Sequence, residues 1–225
     1  MNIYRRKIQL ITMCALLSSC ASLDKSNIAP SYFAAYSSIK AAIFGYDDAN
    51  ITRDLVKKIP YASAKLKIGR GSSGLLILES IKGNQTTWVS ADNVLLLVRD
   101  GRIIRTLGLI NNLTSYQSVD QSFKDLLSNS DSLLNYYSYY SYDEPLLHNL
   151  RVEVSLSIKG TQDLELLGKV RSLVLVEELV TSKEINWTKK NKYWIDPDTF
   201  FVWKSIQYIS PKLPKFTFEV TKKPA

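Results

Sequence analysis

The chain has 225 residues, a formal net charge of +8, two cysteines and one histidine. Both cysteines, Cys14 and Cys20, lie near the N-terminus, so the chain beyond them has no thiol for an internal disulfide, a nucleophile or a metal site. A triad with serine and aspartate would have to use His148, and the lysines form no dense stripe of the kind that binds nucleic acid. We therefore expect no metal, no cofactor and no nucleic-acid partner.

The N-terminus has the successive regions of an export signal. Residues 5–7 are basic, and residues 8–17 are apolar apart from two polar positions, a run too short for a membrane-spanning helix. The run ends with Leu17, Ser18, Ser19 and Cys20, which is the spacing of a lipobox, the cleavage motif of bacterial lipoproteins. Only a thiol is nucleophilic enough at neutral pH to accept the diacylglyceryl group. The pattern predicts a lipoprotein signal peptide at 1–19 and lipidation of Cys20, rather than a short membrane anchor with a chance cysteine.

The predicted lipid on Cys20 would attach the chain to a bilayer without a spanning helix. Each buried methylene contributes about 0.8 kcal/mol, and two or more acyl chains give stable anchoring. Ala21, rather than an aspartate, follows the cysteine, and under the Gram-negative sorting rule for lipoproteins this favours the outer membrane, at its periplasmic face. Residues 20–30 are small and polar and end at Pro30, which predicts a lipidated tether.

Residues 31–225 are numerous enough for one domain with a substantial core, and we expect one. Its first predicted element is a helix over Ser31–Phe44, because Phe33, Tyr36, Ile39 and Ile43 recur at helical spacing.

Beyond Pro60 the pattern changes to short extended segments separated by turn residues. Gly83-Asn84 and Asp100-Gly101 are two-residue loops of the kind that favours primed turns, and each predicts a hairpin. The segments together predict an antiparallel meander over Tyr61–Arg70, Leu75–Lys82, Thr86–Ala91, Val94–Arg99 and Arg102–Leu107.

Residues 115–148 break this pattern with serine, aspartate and asparagine, and hold a predicted short helix over Asp120–Leu127. Further along, Asp196-Pro197-Asp198 is typical of a tight turn. Later strands are predicted over Leu150–Ile158, Lys169–Val180, Tyr193–Ile195, Phe201–Ile209 and Lys215–Thr221. The elements favour a mainly β domain, an antiparallel barrel or sandwich built from meander hairpins, with an N-terminal helix and a minor second helix.

Neighbouring carboxylates suggest glycoside hydrolysis, a reaction that uses two such groups. The pairs are Asp143-Glu144, Glu177-Glu178 and Asp196 with Asp198. Adjacent residues of a strand face opposite sides of a sheet, so Glu177 and Glu178 should not converge on one substrate. We therefore expect structural roles for these residues and no enzymatic activity.

Residues 136–142 contain five tyrosines and two serines. Tyrosine rings can stack on the apolar faces of sugars while their hydroxyls bond to sugar hydroxyls, so the cluster suggests glycan binding. The alternative, which we favour, is that some of the rings fill the edge of the core and the others cover it.

An ordered set of short motifs runs through residues 55–222. The set consists of Ile59-Pro60-Tyr61-Ala62-Ser63, Ile68-Gly69, Trp88-Val89-Ser90-Ala91-Asp92, Asp100-Gly101-Arg102-Ile103, Tyr193-Trp194-Ile195-Asp196, Val202-Trp203-Lys204-Ser205 with Gln207, and Pro211 with Pro214. Together these motifs resemble the group 4 capsule polysaccharide lipoprotein family, known as GfcB or YjbF. Where the family usually has a glycine in the turn after Asp-x-x-Thr, this chain has Phe200.

The resemblance implies a mostly β outer-membrane lipoprotein that works with the machinery secreting or assembling capsule or exopolysaccharide. We expect a non-enzymatic accessory factor whose partners are export or assembly proteins, or the polysaccharide itself. A ligand or partner surface is predicted near Trp88, Asp92 and Arg102, with Tyr137 and Tyr140 as the second choice. Two alternatives remain open: a carrier that holds a lipid or lipid-linked glycan in a barrel cavity, and a hydrolase.

Overall fold

The structure, a computed structural model, describes residues 51–118, 122–128 and 133–224. The predicted signal peptide, Cys20, the tether at 20–30 and the helix over Ser31–Phe44 lie outside the described residues. The fold below is therefore that of the β domain.

Twelve strands are found in the described residues, and they form one antiparallel sheet. They are β1 (Ser63–Ile68), β2 (Gly74–Lys82), β3 (Gln85–Ser90), β4 (Leu95–Arg99), β5 (Arg102–Leu107), β6 (Leu113–Ser118), β7 (Leu133–Tyr142), β8 (Leu147–Leu166), β9 (Lys169–Ser182), β10 (Trp187–Ile195), β11 (Val202–Gln207) and β12 (Phe216–Lys222). The sheet order is β5-β4-β3-β2-β1-β12-β11-β10-β9-β8-β7-β6, and the two end strands approach each other. The sheet is therefore a nearly closed barrel, which confirms the predicted mainly β class.

Side-chain hydrogen bonds join the two end strands of the sheet at its seam. The backbone N–H of Leu113 on β6 donates to Thr106 Oγ1 on β5, at 2.9 Å. Asn112 Oδ1 accepts from Leu109 N at 3.0 Å, and the Oδ1 and Oδ2 atoms of Asp143 accept from Asn112 N and Nδ2, each at 2.7 Å. These bonds satisfy backbone groups that would otherwise face an open edge.

Two helices flank the strands in the described residues. Helix α1 (Arg53–Lys58) was not predicted, and Thr52 caps it by accepting from Leu55 N at 3.3 Å. Helix α2 (Phe123–Ser128) is the predicted minor helix, and Ser122 and Asp125 bond each other's backbone N–H groups in a capping box. Neither of these helices is long or apolar enough to cross a membrane.

The local turn predictions are confirmed. Gly83 (φ 60°) sits between β2 and β3, and Asp100 (φ 48°) and Gly101 (φ 79°) join β4 to β5. Asp196 Oδ1 accepts from the backbone N–H groups two and three residues later, at 3.2 and 2.9 Å, so its turn between β10 and β11 has the predicted Asx geometry.

The expectation that residues 115–148 interrupt the strand pattern was wrong over much of that segment, because β6 and β7 lie within it. Along β7 the inward positions are Tyr136, Ser138, Tyr140 and Tyr142, all buried, whereas Tyr137 faces outward and is 44% exposed. Serine and tyrosine thus occupy interior positions that usually carry aliphatic residues, and this composition hid the alternation. Some rings of the tyrosine cluster therefore lie in the core and others lie outside, as the favoured interpretation expected, and a role of the cluster in glycan binding stays a prediction.

Candidate functional site

A polar network lies inside the barrel around Glu178 of β9, which is 2% exposed. Its Oε1 atom accepts hydrogen bonds from Arg102 Nε at 3.0 Å and from the Tyr136 hydroxyl at 3.4 Å. Its Oε2 atom accepts from Asn191 Nδ2 and from the Tyr193 hydroxyl, both at 2.8 Å. These donors come from β5, β7 and β10, so one carboxylate joins strands that are far apart in the sequence.

The electrostatics of this network favour a structural role for the carboxylate. Burial raises the pKa of Tyr193, and the nearby Glu178 raises it further, so the phenol stays protonated and donates. Burial also raises the pKa of Tyr136. The Arg102 guanidinium lies 3.9 Å from the ring centroid of Phe123 on α2, so the helix packs directly over the ion pair. With four donors in place, Glu178 is held as an acceptor and is poorly suited to proton transfer.

The predicted opposite orientation of Glu177 and Glu178 is confirmed. Glu177 lies on the outer face, with the Nζ atoms of Lys159, Lys190 and Lys192 at 3.8, 3.3 and 3.6 Å. Burial opposes ionisation of Glu177, but the hydrogen bond and charge of Lys190, with the other two lysines, lower its pKa. This pair therefore cannot act together on one glycosidic bond.

Gln207 of β11 ties the β4–β5 hairpin to the opposite side of the barrel. Its Oε1 atom accepts from Ile103 N at 3.0 Å, and its Nε2 atom donates to the carbonyl oxygen of Gly101 at 2.9 Å. A Cβ atom built on Gly101 would lie 2.4 Å from Val202 Cγ2. The hairpin therefore approaches β11 so closely that only glycine fits at this position.

A cavity of about 550 Å³ opens beside these contacts, and we call it the end cavity. Its inner lining includes Trp88 and Phe218, whose rings pack edge to face with centroids 5.5 Å apart, and the side chains of Val98 and Val202. Trp88 Nε1 donates to Thr86 Oγ1 at 2.9 Å, so the indole N–H is already satisfied. The wall is consequently apolar and rigid.

The rim of the end cavity combines aromatic and polar groups. Phe200 and Phe201 come from the turn between β10 and β11, Asp100 from the β4–β5 hairpin, and Lys124 from the first turn of α2. Asn84 Nδ2 donates to Asp100 Oδ2 at 2.9 Å and orients that carboxylate. Phe200 has φ 56°, a conformation that bulky side chains rarely adopt.

A second cavity, of about 340 Å³, lies between α1, the β8–β9 hairpin and the end of β12, and we call it the basic cleft. Among the described residues, no carboxylate lines it. Its basic lining residues are Arg53, Lys57, Lys169, Arg171 and Lys222. Such a concentration of positive charge favours contact with anionic groups.

The residues predicted to form a binding surface do not share one face. Trp88 is 2% exposed and lines the end cavity, and Arg102 is buried in the Glu178 network. Asp92 lies exposed in the turn between β3 and β4. Tyr140 is buried inside the barrel, whereas Tyr137 lies outside with the Arg151 guanidinium 4.0 Å from its ring centroid. A role for these five residues in binding stays a prediction.

Sequence reasoning missed the end cavity and the Glu178 network. Phe200 and Trp88 each carried a signal for the cavity, since the family resemblance implied a glycine at position 200 and Trp88 lies in one of the family motifs. Among the described residues, no group of three or more histidine, cysteine, aspartate or glutamate side chains is placed to hold a metal ion.

Comparison with known families supplies the context for this geometry. Residues 36–220 match the family described as "Group 4 capsule polysaccharide lipoprotein gfcB, YjbF". The chain belongs to this family. The match confirms the resemblance inferred from the motifs and supports a membrane-anchored lipoprotein with a capsule-related role.

Individual relatives extend over nearly the whole chain. The chain is 23% identical over 205 residues to the uncharacterized lipoprotein GfcB of Escherichia coli K12, covering 91% of this chain and 92% of that protein. It is 23% identical over 195 residues to the uncharacterized lipoprotein YjbF of the same organism, covering 84% and 85%. The crystal structure of the hypothetical lipoprotein YmcC from Escherichia coli K12 is similar in fold, with a TM-score of 0.64 and 24% identity, covering 84% of this chain and 95% of that one.

Proposed function

We propose that the protein is a non-enzymatic accessory factor in the secretion or assembly of a capsule or exopolysaccharide. A lipid on Cys20 would anchor it in the outer membrane at the periplasmic face, and the β domain would hold the polysaccharide or an export protein. The observation that carries this proposal is the family match over residues 36–220, since the family is described as capsule polysaccharide lipoproteins.

The geometry of the carboxylates supports a binding role over hydrolysis. Glu178 is saturated by its four donors, and Glu177 faces the opposite side of the sheet. Within the part of the chain that the structure describes, Asp100 is the one acidic residue lining the end cavity, whereas a glycosidase of the usual kind needs two carboxylates. A purified polysaccharide incubated with the protein should therefore keep its chain length, as measured by size-exclusion chromatography.

The interior of the barrel gives less support to the lipid-carrier alternative. Tyr193, Val176 and Phe216 are 1% exposed or less and occupy the inside of the barrel. An acyl chain bound in the end cavity would lie against a rim that carries Asp100 and Lys124. Native mass spectrometry of the purified protein tests this alternative, because a carrier should retain a lipid through purification.

Deletion and complementation test the proposed function. Loss of the gene should lower surface polysaccharide, and the wild-type chain should restore it, whereas Cys20→Ser should fail because the protein is not lipidated and sorted. Immunoblots of separated membranes must show that the variant accumulates. Unchanged surface polysaccharide after deletion, with intact export machinery, would refute the accessory role.

Capture of the cross-linked lipoprotein from outer membranes identifies what it holds. Recovery of an export or assembly protein would make the partner a protein, and recovery of polysaccharide alone would make it the glycan. Recovery of lipid without either would overturn the accessory role in favour of the carrier.

A further inference from the structure

We propose that the end cavity is a saccharide-binding site that takes a sugar unit of the polysaccharide, with Phe200 as a rim contact. This inference rests on the proposed function and names the ligand class and the place of contact. The cavity volume of about 550 Å³ lies within the range of small-molecule sites, roughly 300–1,000 Å³.

The lining matches the mixed chemistry of a sugar ring. Its carbon surface comes mainly from Phe200 and Phe201, which are half-buried, because Trp88 and Phe218 are only 2% and 3% exposed. The ring carbons of a pyranose carry C–H groups, and these groups pack on the faces of aromatic side chains. The aromatic part of the rim therefore fits the apolar face of a sugar.

The polar groups of the rim fit the hydroxyls of the same ring. Asp100 is oriented by Asn84, and a carboxylate oxygen accepts more than one hydrogen bond. Lys124 also lines the cavity and can donate. An acyl chain would desolvate these two charged groups without replacing their hydrogen bonds, so the rim disfavours a lipid.

The turn that carries Phe200 is rigid and holds that residue in an unfavourable conformation. Phe200 N donates to the Asp196 carbonyl oxygen, and Asp196 N donates to the Phe201 carbonyl oxygen, both at 2.9 Å. Glycine adopts φ 56° without the steric penalty that a side chain incurs. Phe200 is only half-buried, so its ring contributes little to the core. Strain of this kind concentrates at ligand contacts, where a side chain is needed despite its cost.

Three substitutions at one position separate the ring from the strain. Phe200→Ala and Phe200→Gly both remove the ring, but only glycine relieves the positive φ; Phe200→Tyr keeps an aromatic ring. The probe is a set of oligosaccharides made by partial hydrolysis of the organism's own surface polysaccharide. Binding to the purified lipoprotein in detergent micelles is measured by saturation-transfer NMR and calorimetry.

The alanine and glycine variants should each weaken binding by about tenfold, the scale of one lost aromatic contact, and tyrosine should retain it. The glycine variant should melt at a higher temperature than the alanine variant, although both bind equally weakly. Tyr61→Ala, in the exposed segment before β1 and outside the end cavity, is the matched aromatic control and should leave affinity unchanged. Equal affinity of wild type and both ring-less variants would overturn the proposal, as would affinities that follow melting temperature.

The outcomes also separate this inference from the proposed function. If no oligosaccharide binds the wild-type protein while gene deletion lowers surface polysaccharide, the saccharide site is refuted and the accessory role stands. If the oligosaccharides bind through Phe200 while deletion leaves surface polysaccharide unchanged, the site is confirmed and the accessory role is refuted.

Discussion

Replacing Glu178 with glutamine should destabilise the barrel strongly. The change keeps the shape of the side chain but removes the counter-charge of Arg102, whose side chain is 8% exposed. It also turns one accepting oxygen into an NH₂ group, which faces donors from Arg102 and Tyr136, or from Asn191 and Tyr193. Removing one partner of a buried ion pair costs about 3–5 kcal/mol. This is a large share of a total stability of about 5–15 kcal/mol.

The double variant Arg102→Met with Glu178→Gln should recover most of that loss. The glutamine oxygen can take the place of Oε2 and still accept from Asn191 and Tyr193. Its NH₂ group, at the place of Oε1, can then donate to the Tyr136 hydroxyl oxygen, which rotates its own proton away. Methionine at position 102 keeps an apolar contact with the ring of Phe123. Replacing a whole buried pair with matched neutral groups is often nearly neutral.

The four proteins to compare are the wild type, Glu178→Gln, Arg102→Met and the double variant. Their urea denaturation curves, monitored by tryptophan fluorescence, give the coupling free energy between positions 102 and 178. Each single variant should lose about 3–5 kcal/mol, and the double variant about 0–2 kcal/mol. The coupling should therefore be about 4 kcal/mol or more, above the usual range of roughly 0.5–3 kcal/mol for residues in contact. Additive losses would refute the reasoning, because they would mean that Glu178 and Arg102 stabilise the barrel independently.

Three further predictions concern other parts of the domain. Gly101→Ala should cost about 2–4 kcal/mol, because a Cβ there would lie 2.4 Å from a valine methyl and the residue has φ 79°. Gly83→Ala is the control, because Gly83 has φ 60° and a Cβ there would have no atom within 4 Å; it should cost about 1–2 kcal/mol. Both losses are measured by thermal melting, and equal losses would mean that the clash at Gly101 contributes nothing. Hydrogen bonds from Asn112 lower the pKa of Asp143 below its ordinary value of 3.8. Their contribution to the free energy of unfolding is therefore present above pH 3.8 and is lost as the pH falls through the lowered pKa. Melting temperatures from pH 6 to pH 3 should thus fall less steeply in Asp143→Asn, and parallel curves would contradict the assignment. Lys169→Glu should elute from a heparin column at lower salt if the basic cleft binds polyanions, and unchanged elution would argue against this.

The first part of the sheet was predictable because its signals are local. Gly83 and the pair Asp100-Gly101 fix two hairpins through the backbone conformation that they permit, and each hairpin sets the register of its strands. The turn at Asp196 was predictable for the same reason, since its side chain bonds to N–H groups only two and three residues away. Local backbone chemistry was therefore sufficient for the β class.

The strands β6 and β7 were missed because their stability does not come from their own composition. Ser138 is fully buried, and serine at an inward position gives no apolar signal in the sequence. It lies between Tyr136 and Tyr140 along the strand, whose rings fill the barrel on either side. A pattern based on aliphatic residues cannot recognise such a strand, although the tyrosines themselves follow the expected alternation.

Arg102 was predicted to lie on a binding surface, and the structure buries it instead. An isolated arginine is expected at the surface, because burial of its charge is unfavourable without a partner. Its partner, Glu178, lies 76 residues later in the chain. The alternation argument placed Glu178 opposite to Glu177 but could not show which of the two faced inward. Only the closed order of the strands brings the two charges together.

Several of the family motifs meet at the end cavity once the chain is folded. Trp88 lines the end cavity, Gly101 packs against Val202, and Gln207 bonds to the hairpin that carries Gly101. The motifs thus specify the walls of the cavity and the contacts that hold its mouth in shape. Phe200, where the family usually has glycine, lies on the rim of the same cavity. If the end cavity binds a sugar as proposed, a change on the rim alters the contact with that sugar while the wall stays the same, so the rim around Phe200 is where ligand preference should be sought.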